Sequence, residues 1–210
     1  MSRIFNWFVK LTGWIPALLV FRTKVYYEDR AVQSRRIVGK AIVMSNHFTI
    51  WDFATILFVF PMRTLRCIVA EILYHKNVIL TLFLKALGCI RVERGAHDFT
   101  FIDKSKKILD RGGVIEIYPE ARVPGKDECV PLEFKPSVVY LALESGAPII
   151  PVYTDGNYFN RKRNRVMIGK PINVFELYDS SLGEKENISA ITAALRGKII
   201  ELREKLEEEK

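Results

Sequence analysis

Short apolar runs rich in β-branched residues alternate along this chain with segments whose apolar residues recur at helical spacing. The runs predict strands, and the periodic segments predict helices. We predict strands at residues 40–44, 66–70, 89–92, 114–118, 149–153 and 165–168, and helices at residues 52–60, 78–87, 99–109 and 138–145. The alternation favours an α/β fold, with a single domain and a mostly parallel sheet flanked by helices.

The two ends of the chain carry amphipathic patterns of different character. Near the C-terminus, apolar residues recur every three or four positions and predict an amphipathic helix packed on the domain, at Ile188, Ile191, Leu195, Ile199, Leu202 and Leu206. Near the N-terminus, Trp7 and Trp14 lie in apolar stretches flanked by basic residues, while Asn6 and Lys10 share the opposite face. Tryptophans opposite a cation are typical of an interfacial helix on a membrane. The same periodicity fits a helix docked on a protein core equally well.

Composition and charge narrow the possible partners. The chain has 210 residues, of which 49% are hydrophobic, and a formal net charge of +8. This positive charge predicts an anionic partner, which can be nucleic acid, an anionic membrane or a phosphorylated substrate. The three cysteines, Cys67, Cys89 and Cys129, are odd in number and widely spaced, which argues against a disulfide framework or a zinc site. We expect packing cysteines, a reducing compartment and no bound metal.

Candidate chemistry centres on His47 and Asp52, which follow the apolar run at residues 41–44. On a continuous helix their spacing separates the two side chains by roughly 140°. They can meet if His47 lies in the turn after the strand and Asp52 in the first turn of the next helix. There Asp52 would fix the tautomer of the imidazole, whose other nitrogen could take a proton from a substrate hydroxyl. The same spacing also suits a loop histidine beside an aspartate that complements a helix dipole.

Three further segments lie at predicted strand ends, where open α/β sheets bind ligands. They read Gly-Cys-Ile-Arg-Val-Glu-Arg at 88–94, Glu-Ile-Tyr-Pro-Glu-Ala-Arg at 116–122 and Gly-Ala-Pro-Ile-Ile-Pro-Val at 146–152. Together with Asn46, His47 and Asp52, they resemble in order and spacing the four motif blocks of the glycerolipid acyltransferase superfamily, the lysophosphatidic acid acyltransferase-like proteins. Phe-Lys-Pro-Ser at 134–137 resembles the F-K-x-G segment of that family. The resemblance covers roughly residues 40–170.

The resemblance implies transfer of a fatty acyl group from a thioester to the free hydroxyl of a lysophospholipid, with lysophosphatidic acid as the first expected acceptor. The thioester would be acyl-coenzyme A or acyl-carrier protein, and no cofactor is expected beside this co-substrate. His47 would be the general base and Asp52 its orienting acid, in a catalytic domain at residues 31–210 that follows a membrane-interface segment at residues 1–30. We would then expect the enzyme on the cytoplasmic face of the cell membrane, as a peripheral or monotopic protein.

The resemblance also assigns candidate substrate-binding residues. Arg94 is expected to grip the acceptor phosphate, because its planar fork matches phosphate oxygens bidentately. Arg122 and Lys135 are further candidate phosphate contacts. Glu120 would orient an arginine or accept a hydrogen bond from the acceptor hydroxyl. The segment at residues 116–122, which resembles the third motif block, departs from the family pattern, since alanine replaces glycine at position 121 and one residue fewer precedes Arg122. We expect this departure to affect the identity of the acceptor more than the type of reaction.

Two other function classes fit parts of the sequence. A non-catalytic membrane lipid-binding protein could keep the same fold, and an acyltransferase could use a different acceptor. A nucleic-acid-binding module would need a basic stripe with interleaved aromatic residues. The one candidate is the basic cluster at residues 161–165 beside Tyr158 and Phe159. We interpret this cluster as a membrane-facing patch, a coenzyme-phosphate patch or a solvated loop, and expect no nucleic-acid partner.

Overall fold

A computed structural model of the chain describes residues 2–93, 100–159 and 162–209. In these ranges the chain builds a sheet between two layers of helices. The helices are α1 (Ser2–Phe21), α2 (Asp52–Val59), α3 (Val78–Leu87), α4 (Thr100–Asp110), α5 (Ser137–Ser145) and α6 (Glu184–Glu208), with short 3₁₀ helices at Glu71–His75 and Val174–Leu177. The strands are β1 (Lys24–Tyr27), β2 (Ala41–Ser45), β3 (Leu65–Ala70), β4 (Ile90–Val92), β5 (Val114–Ile117), β6 (Ile149–Thr154) and β7 (Arg165–Ile168).

The strands form one sheet in the order β1-β7-β6-β2-β5-β3-β4. All neighbouring strands in this order run parallel except β6 and β7, which are antiparallel. Every residue of β2, β5 and β6 is buried, as expected for central parallel strands covered on both faces. The predicted single α/β domain with a mostly parallel sheet is therefore confirmed.

Two hydrophobic cores lie on opposite faces of the sheet. The larger core joins the sheet to α4, α5 and α6, and it contains all six apolar residues that predicted the C-terminal helix. The smaller core joins the other face to α2. Helices α1 and α3 pack together beside α2 on this second side. The carboxyl ends of β2, β5 and β6 point to the same edge of the sheet, and the candidate residues follow from these ends.

Helix α1 is present as predicted, but its polar face contacts protein. Asn6 and Lys10 are almost completely buried, at 1% and 4% exposure. The Lys10 ammonium donates to the carbonyl oxygens of Phe60 (2.7 Å), Pro61 (3.3 Å) and Arg63. These carbonyls follow the last turn of α2, where the helix dipole favours a cation. The apolar face of α1 is consequently the exposed one.

The main differences from the sequence prediction lie at the edges of the sheet. Strand β1, with only four residues, was not predicted, yet it pairs in register with β7. Part of the segment predicted at residues 1–30 thus belongs to the sheet. The predicted helix at 99–109 is found at Thr100–Asp110, while Phe99 lies outside the described residues. All three cysteines are free, and Cys129 is exposed, so the expectation that it packs in the core is wrong.

Candidate active site

The loop from β2 to α2 brings His47 and Asp52 into direct contact. Strand β2 ends at Ser45 and α2 begins at Asp52, so the two side chains lie on either side of a tight connection. The distance from His47 Nδ1 to Asp52 Oδ2 is 2.5 Å. The imidazole is 17% exposed, and the carboxylate is fully buried. This geometry leaves His47 Nε2 as the nitrogen that can face a ligand.

The Asp52 carboxylate is held by three further donors. Oδ2 accepts hydrogen bonds from the backbone N–H groups of Phe48 (2.6 Å) and Thr49 (2.8 Å), and Oδ1 accepts one from the Tyr158 hydroxyl (2.7 Å). Burial, followed by the negative charge of Asp52, raises the pKa of Tyr158, so this phenol stays a donor at neutral pH. The carboxylate can therefore fix the tautomer of His47 without turning.

Asn46 and Glu120 fix the backbone on either side of His47. The Asn46 side chain donates to the carbonyl oxygen of Thr154 (3.0 Å) and accepts from its N–H (2.9 Å), which ties β2 to the end of β6. Glu120 Oε1 accepts a hydrogen bond from the His47 N–H at 2.9 Å. Burial raises the pKa of Glu120, while the N–H groups of His47 and Leu132 oppose that shift. The backbone N–H groups of residues 47–49 all donate to carboxylates, which holds the loop that carries His47.

Tyr118 and Glu116 are two residues of the site that sequence reasoning missed. The Tyr118 ring stacks on the His47 imidazole, with centroids 4.4 Å apart and planes at 23°. The Tyr118 hydroxyl donates to Glu116 Oε1 at 2.5 Å. Burial raises the pKa of Glu116 to about 8, so this carboxyl group is mostly protonated at neutral pH. The signal available in the sequence was a glutamate in the middle of an otherwise apolar predicted strand.

Of the candidate phosphate ligands, Arg122 and Lys135 lie in the described part of the chain, and both side chains are exposed. Arg94 lies outside the described residues. The Arg122 side chain is 51% exposed, and its guanidinium donates to both carboxylate oxygens of Glu128, at 2.6 and 2.5 Å. Lys135 is exposed, and its backbone N–H donates to the carbonyl of Pro119. Any phosphate contact by Arg122 would require exchange of its present carboxylate partner.

At residue 121, where alanine replaces the glycine of the family pattern, the backbone has an unusual conformation. Ala121 has φ of +58°, in the left-handed region that favours glycine. Its N–H donates to the carbonyl of Tyr118 at 3.0 Å, which closes the turn between Tyr118 and Arg122. The chain therefore keeps the turn that a glycine would favour, and alanine adopts its conformation at an energetic cost.

The basic cluster at residues 161–165 is partly structural. Asn164 is fully buried and bonds Thr154, and the Arg165 guanidinium donates to Asp155 and to the carbonyl of Leu206. Arg161 lies outside the described residues. Among the described residues there is also no group of three or more histidine, cysteine or acidic side chains that could hold a metal ion.

Comparisons with known proteins match most of the chain. The model of the family described as Acyltransferase matches residues 22–155. The 1-acyl-sn-glycerol-3-phosphate acyltransferase of Bacillus subtilis (strain 168) is 29% identical over 131 residues, which are 60% of this chain and 63% of that protein. The 1-acyl-sn-glycerol-3-phosphate acyltransferase beta of Homo sapiens is 23% identical over 158 residues, which are 74% of this chain and 56% of that protein. The chain thus spans less than two thirds of either relative.

Among solved structures, the fold is similar to that of the 1-acyl-sn-glycerophosphate (LPA) acyltransferase PlsC from Thermotoga maritima. The TM-score is 0.63, the sequence identity is 17%, and the match covers 97% of this chain and 98% of that one.

Proposed function

Because the chain belongs to the Acyltransferase family, we propose that it transfers a fatty acyl group from a thioester to the free hydroxyl of a lysophospholipid. Lysophosphatidic acid, which would become phosphatidic acid, is the first candidate acceptor, since both curated relatives are named for acylation of 1-acyl-sn-glycerol-3-phosphate. The observation that carries the proposal is the contact between His47 Nδ1 and the buried Asp52 carboxylate. It prepares the opposite ring nitrogen for proton transfer.

The reaction can be written with this pair alone as the acid–base machinery. His47 Nε2 takes the proton of the acceptor hydroxyl as its oxygen attacks the carbonyl carbon of the thioester. Asp52 stabilises the imidazolium that forms. The tetrahedral intermediate then expels the thiolate, which takes the proton from Nε2 and leaves as a thiol. An ester bond has formed and a thioester bond has broken, so no cofactor is needed beside the acyl-coenzyme A or acyl-carrier protein donor.

The acceptor phosphate is assigned to Arg94 on the strength of the motif resemblance, with Arg122 and Lys135 as secondary candidates. Glu120 has a different place in the proposal from the one its motif suggested. Its Oε1 accepts the backbone N–H of His47, so we assign it to holding the loop that carries the base.

The proposed membrane contact is the exposed apolar face shared by α1 and α3. The two helices meet at the edge-to-face pair of Phe5 and Phe83, with centroids 5.8 Å apart. The apolar face consists of Ile4, Phe8, Leu11, Ile15 and Leu19 on α1, and Val78, Ile79, Leu82 and Phe83 on α3. Helix α1 has 20 residues, and of the described helices it alone has the length and composition to cross a membrane. Because its polar face is bonded to the domain, we propose that it lies in the interface with α3, on the cytoplasmic side.

Activity is tested with purified protein in detergent micelles, labelled acyl-coenzyme A or acyl-carrier protein, and a panel of lysophospholipids. Wild type should form a labelled diacyl product with at least one acceptor, while His47→Ala should lose about 10²–10⁴ in rate. His75→Ala is the matched control, because His75 is an exposed histidine at the end of the 3₁₀ helix Glu71–His75. Transfer by the His47 variant within tenfold of wild type would contradict the general-base role, and no product with any pair would contradict the function.

Membrane binding is tested with vesicles that contain anionic phospholipids. Leu11 and Val38 make a matched pair, since they are 81% and 82% exposed and only Leu11 lies on the apolar face. Leu11→Glu should weaken vesicle binding about tenfold or more, because an inserted leucine contributes about 1.5–3 kcal/mol. Val38→Glu should bind as wild type does. Equal binding by both variants would place the membrane contact elsewhere.

A further inference from the structure

Glu116 is the most unusual side chain of the sheet. It lies in β5 between β2 and β3, where it is opposite Val43 and Cys67, and it is fully buried. Its Oε2 has no hydrogen-bond partner among the described residues. A carboxyl group in this place costs stability relative to an apolar residue of similar size. Glu116 has no role in the acyl transfer proposed above, so we infer its role from its contacts.

Within the described ranges, Glu116 makes one side-chain hydrogen bond, and it leads to the candidate base through Tyr118. Residues two apart on a strand point to the same side, which brings the Tyr118 hydroxyl onto Glu116 Oε1 at 2.5 Å. The same tyrosine ring covers the His47 imidazole at 4.4 Å, with only 23° between the planes. One end of the ring is thus anchored inside the sheet, and its face meets the imidazole.

Asp52 alone does not fix the imidazole. A single hydrogen bond to Nδ1 sets the tautomer, but it leaves the ring free to tilt about that bond, and a tilt moves Nε2. The Tyr118 face removes this freedom. We propose that Glu116 and Tyr118 form a positioning pair, in which the buried Glu116 carboxyl group anchors the tyrosine and the tyrosine fixes the plane of the His47 imidazole. This inference rests on the proposed role of His47 as the base.

The groups around Glu116 favour an uncharged carboxyl group. Lys10 from α1 is the cation that favours its ionised form, while Asp52 from α2 opposes ionisation and burial opposes it most. The thiols of Cys67 and Cys89 also face it, and burial raises the pKa of both, so they carry no charge at neutral pH. The carboxyl group therefore serves as a hydrogen-bond acceptor, and a neutral amide can take its place.

The anchor is tested by removing its two halves separately and together. Tyr118→Phe strands the buried carboxyl group, and Glu116→Met strands the buried hydroxyl, so each should lower kcat by about tenfold through displacement of the ring. The double variant leaves two apolar side chains in contact, which costs little, and should recover to within about threefold of wild type. Glu116→Gln keeps an acceptor for the hydroxyl and should stay within about threefold as well. KM for both substrates should change less than twofold in all of them.

The stack is tested by Tyr118→Leu, which should lower kcat by about ten- to a hundredfold. Tyr74→Phe is the matched control, because Tyr74 and Tyr118 both pack against the cluster of Cys67, Val69 and Leu84, while the Tyr74 hydroxyl donates to the carbonyl of Cys89 rather than to Glu116. It should leave kcat unchanged. Wild-type kcat in Tyr118→Phe and Tyr118→Leu would overturn the proposal, and so would a double variant as slow as the product of the two single effects.

A measurement on the imidazole itself separates this inference from the proposed function. The chain has three histidines, so the ¹⁵N ring signals of His47 can be assigned by comparison with His47→Ala. Tyr118→Leu should broaden or shift these signals, and Tyr74→Phe should not. If wild type transfers no acyl group, the function fails while this experiment still decides the positioning. Unchanged His47 signals in Tyr118→Leu would refute the positioning pair.

Discussion

Glu116→Gln should stabilise the protein relative to wild type, and this difference in the free energy of unfolding should grow as the pH rises. Burial raises the pKa of Glu116 from its ordinary 4.5 to about 8, so between these values the carboxyl group is protonated in the fold and ionised in the unfolded chain. The folded state then binds more protons than the unfolded state, and the free energy of unfolding falls with pH. At about 1.4 kcal/mol per pH unit, the whole interval amounts to roughly 5 kcal/mol. Glutamine has no proton to lose, so the variant does not pay this penalty.

The measurement is urea unfolding in detergent micelles, followed by the fluorescence of the three tryptophans, at several values between pH 4 and 8.5. Taking the difference between Glu116→Gln and wild type at each pH cancels the titration of other groups. The two proteins should unfold with similar free energies near pH 4, and the variant should be more stable by roughly 3 kcal/mol at pH 7 and roughly 4 kcal/mol at pH 8, where the folded carboxyl group is itself half ionised. The free energy of unfolding of a domain is only about 5–15 kcal/mol in total, so such a difference is easily measured.

Glu133→Gln is the matched control, because Glu133 is 90% exposed. Its difference from wild type should stay near zero throughout. If the difference for Glu116→Gln is flat across this range, or falls with pH, the carboxyl group is not held neutral by the fold and the reasoning is refuted.

Four further variants test the candidate site. Ala121→Gly should raise the free energy of unfolding by up to about 1 kcal/mol, since relief of the left-handed conformation exceeds the added chain entropy; a lower melting temperature would contradict this. Asp52→Asn should lower kcat about 10³–10⁴-fold, because an amide can stabilise the wrong tautomer of His47; single-turnover transfer within tenfold of wild type would exclude it. Arg94→Ala should raise the acceptor KM about tenfold or more, whereas Arg122→Ala, whose side chain is occupied by Glu128, should raise it less; the reverse order would reassign the phosphate contact.

The parts of the structure that follow from local patterns could be predicted. The central strands are runs of buried residues, and His47 and Asp52 lie between a predicted strand and a predicted helix, so these local elements show that the two side chains can meet. Strand β1 was not predicted because none of its four residues is fully buried, so its sequence lacks the apolar run that marks the central strands. Tyr158 escaped for a different reason, since its contact with Asp52 joins positions 106 residues apart and depends on where β6 and β7 lie in the sheet.

The sequence pattern does not show where the fold supplies a partner for a charged side chain, as it does for Lys10. The sequence pattern places Lys10 on the helix face opposite the apolar residues. In the fold it meets the carbonyls at the end of α2, and burial lowers its pKa to about 8. A hydrophobicity pattern identifies the polar face of a helix correctly, but it does not tell whether that face meets solvent or the unpaired carbonyls of another helix.

The way α1 is attached means that the protein cannot be divided after Phe21 into a separate helix and an independent domain. Lys10 completes the end of α2, and Phe21 packs edge-to-face on Tyr158, the tyrosine that donates to Asp52. Cutting the chain after Phe21 would leave those carbonyls without their cation and that tyrosine without one of its walls. A soluble form for crystallisation or assay is therefore better made by polar substitutions at exposed positions such as Leu11 and Ile15 than by truncation. For the same reason, exchanging this helix for the membrane segment of another protein would alter the candidate active site as well as the proposed membrane contact.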